Sequence, residues 1–189
     1  MALRTILLEP DERLRKKSRE VTEITPRILE LLDDMKETLK VARGYGLAAP
    51  QVGVLRRVVV IDMGEDWGFE EPIELINPVI TKAEGTQTGD EGCLSCGDRR
   101  GVVTRPMHVV CEAYDREGNL MEYEAEGLFA RCIAHECDHL EGGLFIDKVE
   151  QYLEEDEYYN EETGQVEKFD PEELAAMAAE EEEEAAENE

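Results

Sequence analysis

An α+β domain, with largely antiparallel sheets packed around a central buried helix, is the fold class that three features of this 189-residue sequence predict. Residues 57–62, 73–80, 101–105, 107–114 and 120–125 read as strands, the last two joined by a turn at Asp115-Arg116-Glu117-Gly118. Residues 128–141 have helical periodicity and are apolar around most of the circumference, which marks a helix enclosed by protein. Strands that run together ahead of one such helix, rather than alternating with helices, give segregated α and β structure.

In chain order, Glu9-Pro10-Asp11 closes an extended start, and a short helix begins near Asp11. Thr25-Pro26 supplies an N-cap followed by a first-turn proline. Ile28, Leu31, Leu32, Met35, Leu39 and Ala42 then recur at helical spacing, so residues 26–43 form an amphipathic helix lying on the core. Residues 44–51 are small and turn-forming, a loop that a substrate backbone can approach closely; they lack the lysine and glycine spacing of a phosphate loop. Residues 57–62 are β-branched and read as a buried strand. A loop through Trp67 leads to residues 73–80, extended and bent at Pro78. In the buried helix only Arg131, Ala134, Asp138 and Glu141 make a narrow small or polar stripe, and Gly142-Gly143 ends it.

Charge divides the chain in two. Residues 150–189 hold 18 acidic residues and one basic, a net of −17 out of the −27 of the whole. Residues 1–149 therefore read as the catalytic domain, and 150–189 as an acidic tail, largely disordered or partly helical. An acidic surface without a basic stripe excludes direct nucleic-acid binding. The N-terminal apolar run is too short for a signal peptide and no segment has the length of a membrane span, so a cytoplasmic protein is expected. Five cysteines, at 93, 96, 111, 132 and 137, form an odd set that argues for reduced thiols over a disulfide framework.

The chemistry centres on His135-Glu136-x-x-His139 in the buried helix. The i, i+4 spacing stacks both imidazoles on one face, where they can hold one metal ion, with Glu136 beside them to take a proton from water on that ion. Leu128 and Cys132 lie on the same face, two turns and one turn earlier, and would line an apolar hole. A catalytic metal needs a third protein ligand, for which Glu91-Gly92-Cys93-Leu94-Ser95 is the best source through the Cys93 thiolate.

Gly44-x-Gly46-Leu47-Ala48-Ala49-x-Gln51, Glu91-Gly92-Cys93-Leu94-Ser95 and His135-Glu136-x-Asp138-His139 together resemble, in order and approximate spacing, the three motifs of peptide deformylases. The likeness spans about residues 5–148. It implies that Cys93, His135 and His139 hold one divalent metal ion, Fe²⁺ in the cell with Zn²⁺ able to take its place. It also implies that Glu136 is the general acid/base and that Gln51 and the Leu94 N–H stabilise the oxyanion. The implied reaction removes the formyl group from the formylmethionine of new proteins and releases formate. The implied partners are N-formylmethionyl nascent polypeptides, with the ribosome met only indirectly, and no membrane. Leu128 and Cys132 would accept the methionine side chain, Tyr45 would wall the pocket mouth, and Gly44 and Gly46 would leave room for an extended peptide. Arg100 resembles a family arginine near the substrate groove. Arg105 resembles one that braces the site, by pairing with Glu91 or Asp138.

Two positions depart from the family pattern: Ala134, where glutamine usually precedes the first histidine, and Cys96, where an aliphatic residue is usual. Cys93-x-x-Cys96 with the two histidines admits a closed, inert Cys₂His₂ site as the alternative, in which the acidic tail of a metal-dependent scaffold recruits a partner. An HExxH endopeptidase of another class is disfavoured by the cysteine ligand.

Overall fold

The computed structural model describes residues 2–64 and 71–170. Trp67 and the Ala/Glu-rich run of residues 172–187 lie outside them. Helix α1 spans Pro26–Ala42, and strands β1 (Gly46–Ala48), β2 (Val58–Ile61), β3 (Ile73–Glu84), β6 (His108–Tyr114) and β7 (Leu120–Glu126) form one sheet in the order β1-β2-β3-β6-β7. A second sheet joins β4 (Gln87–Gly92), β5 (Arg100–Arg105) and β8 (Gln151–Leu153). β9 (Glu157–Asn160) and β10 (Gln165–Lys168) make a separate hairpin, and every strand pair within the three sheets is antiparallel. Helix α2, Gly127–Leu140, carries His-Glu-x-x-His and packs against β1, β2, β3, β6 and β7.

β2 shows why this sheet can lie between two helices. All four of its residues are buried; Val58 and Val60 join the apolar cluster of α1, whereas Val59 and Ile61 join that of α2. Successive side chains of a strand point to opposite faces, so an unbroken β-branched run satisfies both helices at once. α1 ends one residue short of the 26–43 expected from its periodicity, at Arg43 in the left-handed region (φ 54°). The expected helix near Asp11 is a single 3-10 turn, Glu12–Arg15, whose N-cap Asp11 accepts from the Arg13 backbone N–H.

Four expectations are corrected. Residues 44–51 are more than a loop: Gly46–Ala48 is an edge strand paired with β2, followed by the 3-10 turn Ala49–Val52. The bend in β3 is a bulge at Asn77 (φ 53°), not the proline alone; the Asn77 side chain accepts from Val21 N and donates to Val21 O, both at 2.8 Å. Asparagine tolerates that backbone region and satisfies the neighbouring strand with its own amide. Gln87–Gly92 is also a strand, although its polar, glycine-containing sequence has little β propensity, because full pairing with β5 compensates.

Residues 150–170 are likewise not a disordered or helical tail. β8 adds to the edge of β5, and the β9–β10 hairpin folds back on β4, where Tyr159 N donates to Asp90 Oδ1 at 2.9 Å. Like-charge density alone pointed to a solvated chain; backbone pairing and the packed Tyr158 and Phe169 rings, 4.6 Å apart at their centroids, outweigh it locally.

α2 is more enclosed than its sequence implied. Arg131 and Ala134, expected on the polar stripe, are both buried, 5% and 7% exposed. Past its C-cap Glu141 the chain turns at Gly142 (φ 81°), where a Cβ would run into the Arg15 carbonyl at 2.6 Å, and Gly143 N returns to Asp138 O at 2.9 Å.

Candidate active site

α2, the end of β4 and the turn after β1 converge on one point. Cys93 follows the last residue of β4, and its Sγ lies 3.3 Å from His139 Nε2, which is 3.2 Å from His135 Nε2. The three donor atoms all fall within 4.8 Å of one another. A tetrahedral ion with nitrogen bonds of about 2.0 Å and a sulfur bond of about 2.3 Å holds its ligands roughly 3.3–3.8 Å apart, so the spacing suits one ion. Two facing imidazole nitrogens also need a proton or a cation between them. Burial and the nearby His135 hold the His139 pKa well below the usual histidine range, so its ring is neutral and can offer a lone pair to a cation. One sulfur with two nitrogens fits Fe²⁺ or Zn²⁺ better than Mg²⁺.

The closed-site alternative does not match this arrangement. Cys96 is outside the converging set and packs with Leu14, Val103, Leu144 and Phe145. Its sulfur still reaches Cys93: that contact, then burial, keeps the Cys93 thiol protonated well above its usual range, so a cation must displace the proton to bind.

Behind the histidines stands Glu91. Its carboxylate accepts from His135 Nδ1 at 2.7 Å, from Arg105 Nε at 3.0 Å and Nη2 at 2.5 Å, and from Arg131 Nη1 at 3.0 Å. Burial would raise the Glu91 pKa, yet the bonds from His135 and Arg105 prevail and hold it well below the carboxylate range. The bond at Nδ1 leaves His135 Nε2 free to face the ligand cluster. Arg105 pairs with both acceptors expected for it, the second being Asp138 at 2.5 Å. Arg131 went unnoticed as part of the site; its one signal was a cation in an otherwise apolar helix, one turn before His135.

Glu136 is 4% exposed, its Oε2 has no hydrogen-bond partner among the described residues, and burial pushes its pKa up to about 7. A carboxyl poised there can both accept and release a proton near neutrality. Gln51 is aimed by its own turn: its Oε1 accepts from Ala48 N at 2.8 Å, which leaves Nε2 to point at Ser95 Oγ (3.1 Å) and Cys93 Sγ (3.6 Å). Among the described residues nothing accepts from the Leu94 N–H.

A cleft of about 1400 Å³ opens over this point, lined by Gly44, Tyr45, Gly46, Gln51, Cys93, Leu94, Arg100, Leu128, Cys132, His135 and Glu136. His139 lies beneath it, 1% exposed. Tyr45 stands at the mouth, half exposed, and Arg100 is tied to Asp90 at 2.6 Å. The two glycines make room for protein rather than only for a ligand: a Cβ on Gly44 would meet Leu94 Cδ1 at 2.8 Å, and one on Gly46 would overlap Glu136 Oε1. Sequence reading also missed Tyr152, Leu153, Glu154 and Glu155, which line the same cleft from the segment assigned to the tail.

The family model described as polypeptide deformylase matches residues 3–155. A peptide deformylase of Agathobacter rectalis is 54% identical over 158 residues, 84% of this chain and 97% of the relative. That of Caldicellulosiruptor bescii is 54% identical over 157 residues, 83% of this chain and 92% of its own. Among solved structures, the peptide deformylase of Legionella pneumophila aligns with a TM-score of 0.75 at 42% identity, covering 78% of this chain and 86% of that one. The Thermotoga maritima protein aligns at 0.74 and 34% identity, covering 79% and 99%. Among the described residues no helix is long and apolar enough to cross a membrane.

Proposed function

Because this chain belongs to the polypeptide deformylase family, and so is a hydrolase, we propose that it removes the N-formyl group from the N-terminal formylmethionine of newly made proteins in the cytoplasm, releasing formate. The observation that carries the reading is the meeting of Cys93, His135 and His139 beside a buried, unpartnered Glu136 on the floor of an open cleft. The three residues would hold a divalent cation, Fe²⁺ in the cell and Zn²⁺ as its substitute, which when bound makes water more acidic and polarises a carbonyl.

Glu136 takes the proton of the attacking water as its oxygen bonds to the formyl carbon. It then returns that proton to the amine nitrogen as the carbon–nitrogen bond breaks, leaving formate and a free N-terminus. Gln51 Nε2 and the Leu94 N–H donate to the oxygen on which negative charge grows. β1 is an edge strand beside the cleft, so an extended peptide can pair along it, with its methionine side chain against Leu128 and Cys132 and its continuation past Tyr45 and Arg100.

Formate release from formyl-Met-Ala-Ser by anaerobically purified protein, with metal analysed on the same sample, tests the reading. Turnover with about one Fe²⁺ or Zn²⁺ per chain is expected. A single tightly held Zn²⁺ with no turnover, even after exchange to Fe²⁺, would replace the enzyme with a metal-bound scaffold.

Gly46→Ala supplies a further check. The added methyl would sit 2.8 Å from Glu136 Cγ and Cδ, so this side chain, which lines the cleft, must shift away from its present position. A displacement of even ~1 Å at the proton carrier costs about 100-fold in rate. The variant is therefore expected to lose roughly that factor in kcat while its metal content stays constant; wild-type kcat would show that the glycine serves only the strand.

A further inference from the structure

Cys93 and Cys96 are brought together by the backbone as well as by their sulfurs. Cys96 N donates to Cys93 O at 2.8 Å, closing a tight turn through Leu94 and Ser95. Such a turn holds its end Cα atoms within about 7 Å, and disulfides form across about 4.4–6.8 Å. Both side chains pack in one apolar cluster with Leu14, Val103 and Phe145, and the Cys93 thiol donates to the Cys96 sulfur. Sulfurs that touch within one closed turn can bond without moving one secondary element past another.

Access to the pair is one-sided. Cys93 lines the cleft and is partly exposed, whereas Cys96 is 4% exposed and lies outside the cleft lining. The other touching pair, Cys111 on β6 and Cys137 on α2, is also absent from that lining, and Cys111 is fully buried. An oxidant entering the cleft therefore meets Cys93 first and finds a second thiol against it. An aliphatic side chain would fill the apolar space of Cys96 equally well, so packing alone does not call for sulfur there.

Resting on Cys93 as a metal ligand, we propose that Cys93 and Cys96 form a redox site for hydroperoxides, which in the metal-free chain closes to a disulfide and bars the cation until a dithiol reduces it. The Cys93 sulfur attacks one peroxide oxygen, the O–O bond breaks, and the departing hydroxide takes the thiol proton and leaves as water, giving a sulfenic acid. The Cys96 sulfur then attacks the Cys93 sulfur, the S–O bond breaks, and a second water leaves with the Cys96 proton. Two electrons have passed from the sulfurs to the peroxide. Without a second thiol a sulfenic acid goes on to sulfinic and sulfonic acids, which thiols do not reduce. Cys96 thus keeps oxidation of the ligand reversible.

The test treats the full chain, freed of metal, with about 1 mM hydrogen peroxide and follows mass, free thiols and Zn²⁺ uptake. The expected product is lighter by about 2 Da, has lost two of its five thiols, and yields one mapped bond, Cys93 to Cys96. Its Zn²⁺ affinity should fall by more than about 100-fold, since losing only the partner that supports a ligand already costs about 10–100-fold, and dithiothreitol should restore it. Cys96→Val should bind Zn²⁺ normally before oxidation. After oxidation its Cys93 peptide should be heavier by about 32 or 48 Da, and dithiothreitol should not restore binding. A bond mapped to another pair, no bond at all, undiminished Zn²⁺ uptake by the disulfide form, or equal rescue of Cys96→Val would overturn the proposal. Disulfide mapping uses the unaltered chain, so it decides the matter even if Cys96→Val does not fold. Cys93→Ser that binds Zn²⁺ as tightly as the unaltered chain would instead overturn the assignment of Cys93 as a ligand, and this inference with it.

Discussion

Glu136→Ala is expected to keep its metal and to release formate about 10²–10⁴-fold more slowly than the unaltered chain. Glu136 is not among the donor atoms that converge, so removing it leaves the ligand set of Cys93, His135 and His139 whole. What disappears is the group proposed to carry the proton from water to the departing amine. The substitution also relieves a carboxyl that burial disfavours in its charged form, so the folded chain should not suffer. Formate release and metal analysis on one preparation separate the possibilities. Loss of metal together with activity would make Glu136 a ligand, and undiminished turnover would remove it from the reaction.

The second large effect is on stability. Glu91→Ala leaves Arg105 and Arg131, 3% and 5% exposed, without the carboxylate that both bind. Breaking a buried pair by deleting one partner typically costs about 3–5 kcal/mol, because the remaining charge stays buried and uncompensated. His135 also loses the acceptor at Nδ1 that orients its ring, which should weaken metal binding by roughly 10–100-fold. Urea unfolding of the metal-free variant reads the first effect, and competition with a chelator the second. Glu91→Gln keeps the shape and one acceptor, so it should fall between the two. An alanine variant of unchanged stability would mean that Asp138 and the carbonyls of Gly89 and Val103 suffice for the guanidiniums.

The convergence of Cys93, His135 and His139 was legible because its parts are local. His135 and His139 are one helical turn apart, so any helix there brings them together, and Cys93 sits in a short motif whose order and spacing carry the family resemblance. α1 and β2 were legible for the same reason, since apolar periodicity within one element reports its own burial. The expectation that Glu136 carries a proton came from its place between the histidines.

Other features depend on partners distant in sequence. Gln87–Gly92 is a strand only because β5 pairs with it, and Gly46–Ala48 only because β2 does. Arg131 looked like the polar edge of a helix until the fold laid β4 beside it and gave its charge to Glu91. Residues 150–170 read as solvated acid from composition, yet backbone pairing to β5 and a hairpin seated on β4 place them along the cleft. By itself the sequence determined the fold class, the buried helix and which thiol and imidazoles come together, all written in local spacing. Only the tertiary structure decided which charges neutralise one another, why Gly46 must lack a side chain and what walls the cleft, because each of these rests on contacts between segments far apart in the chain.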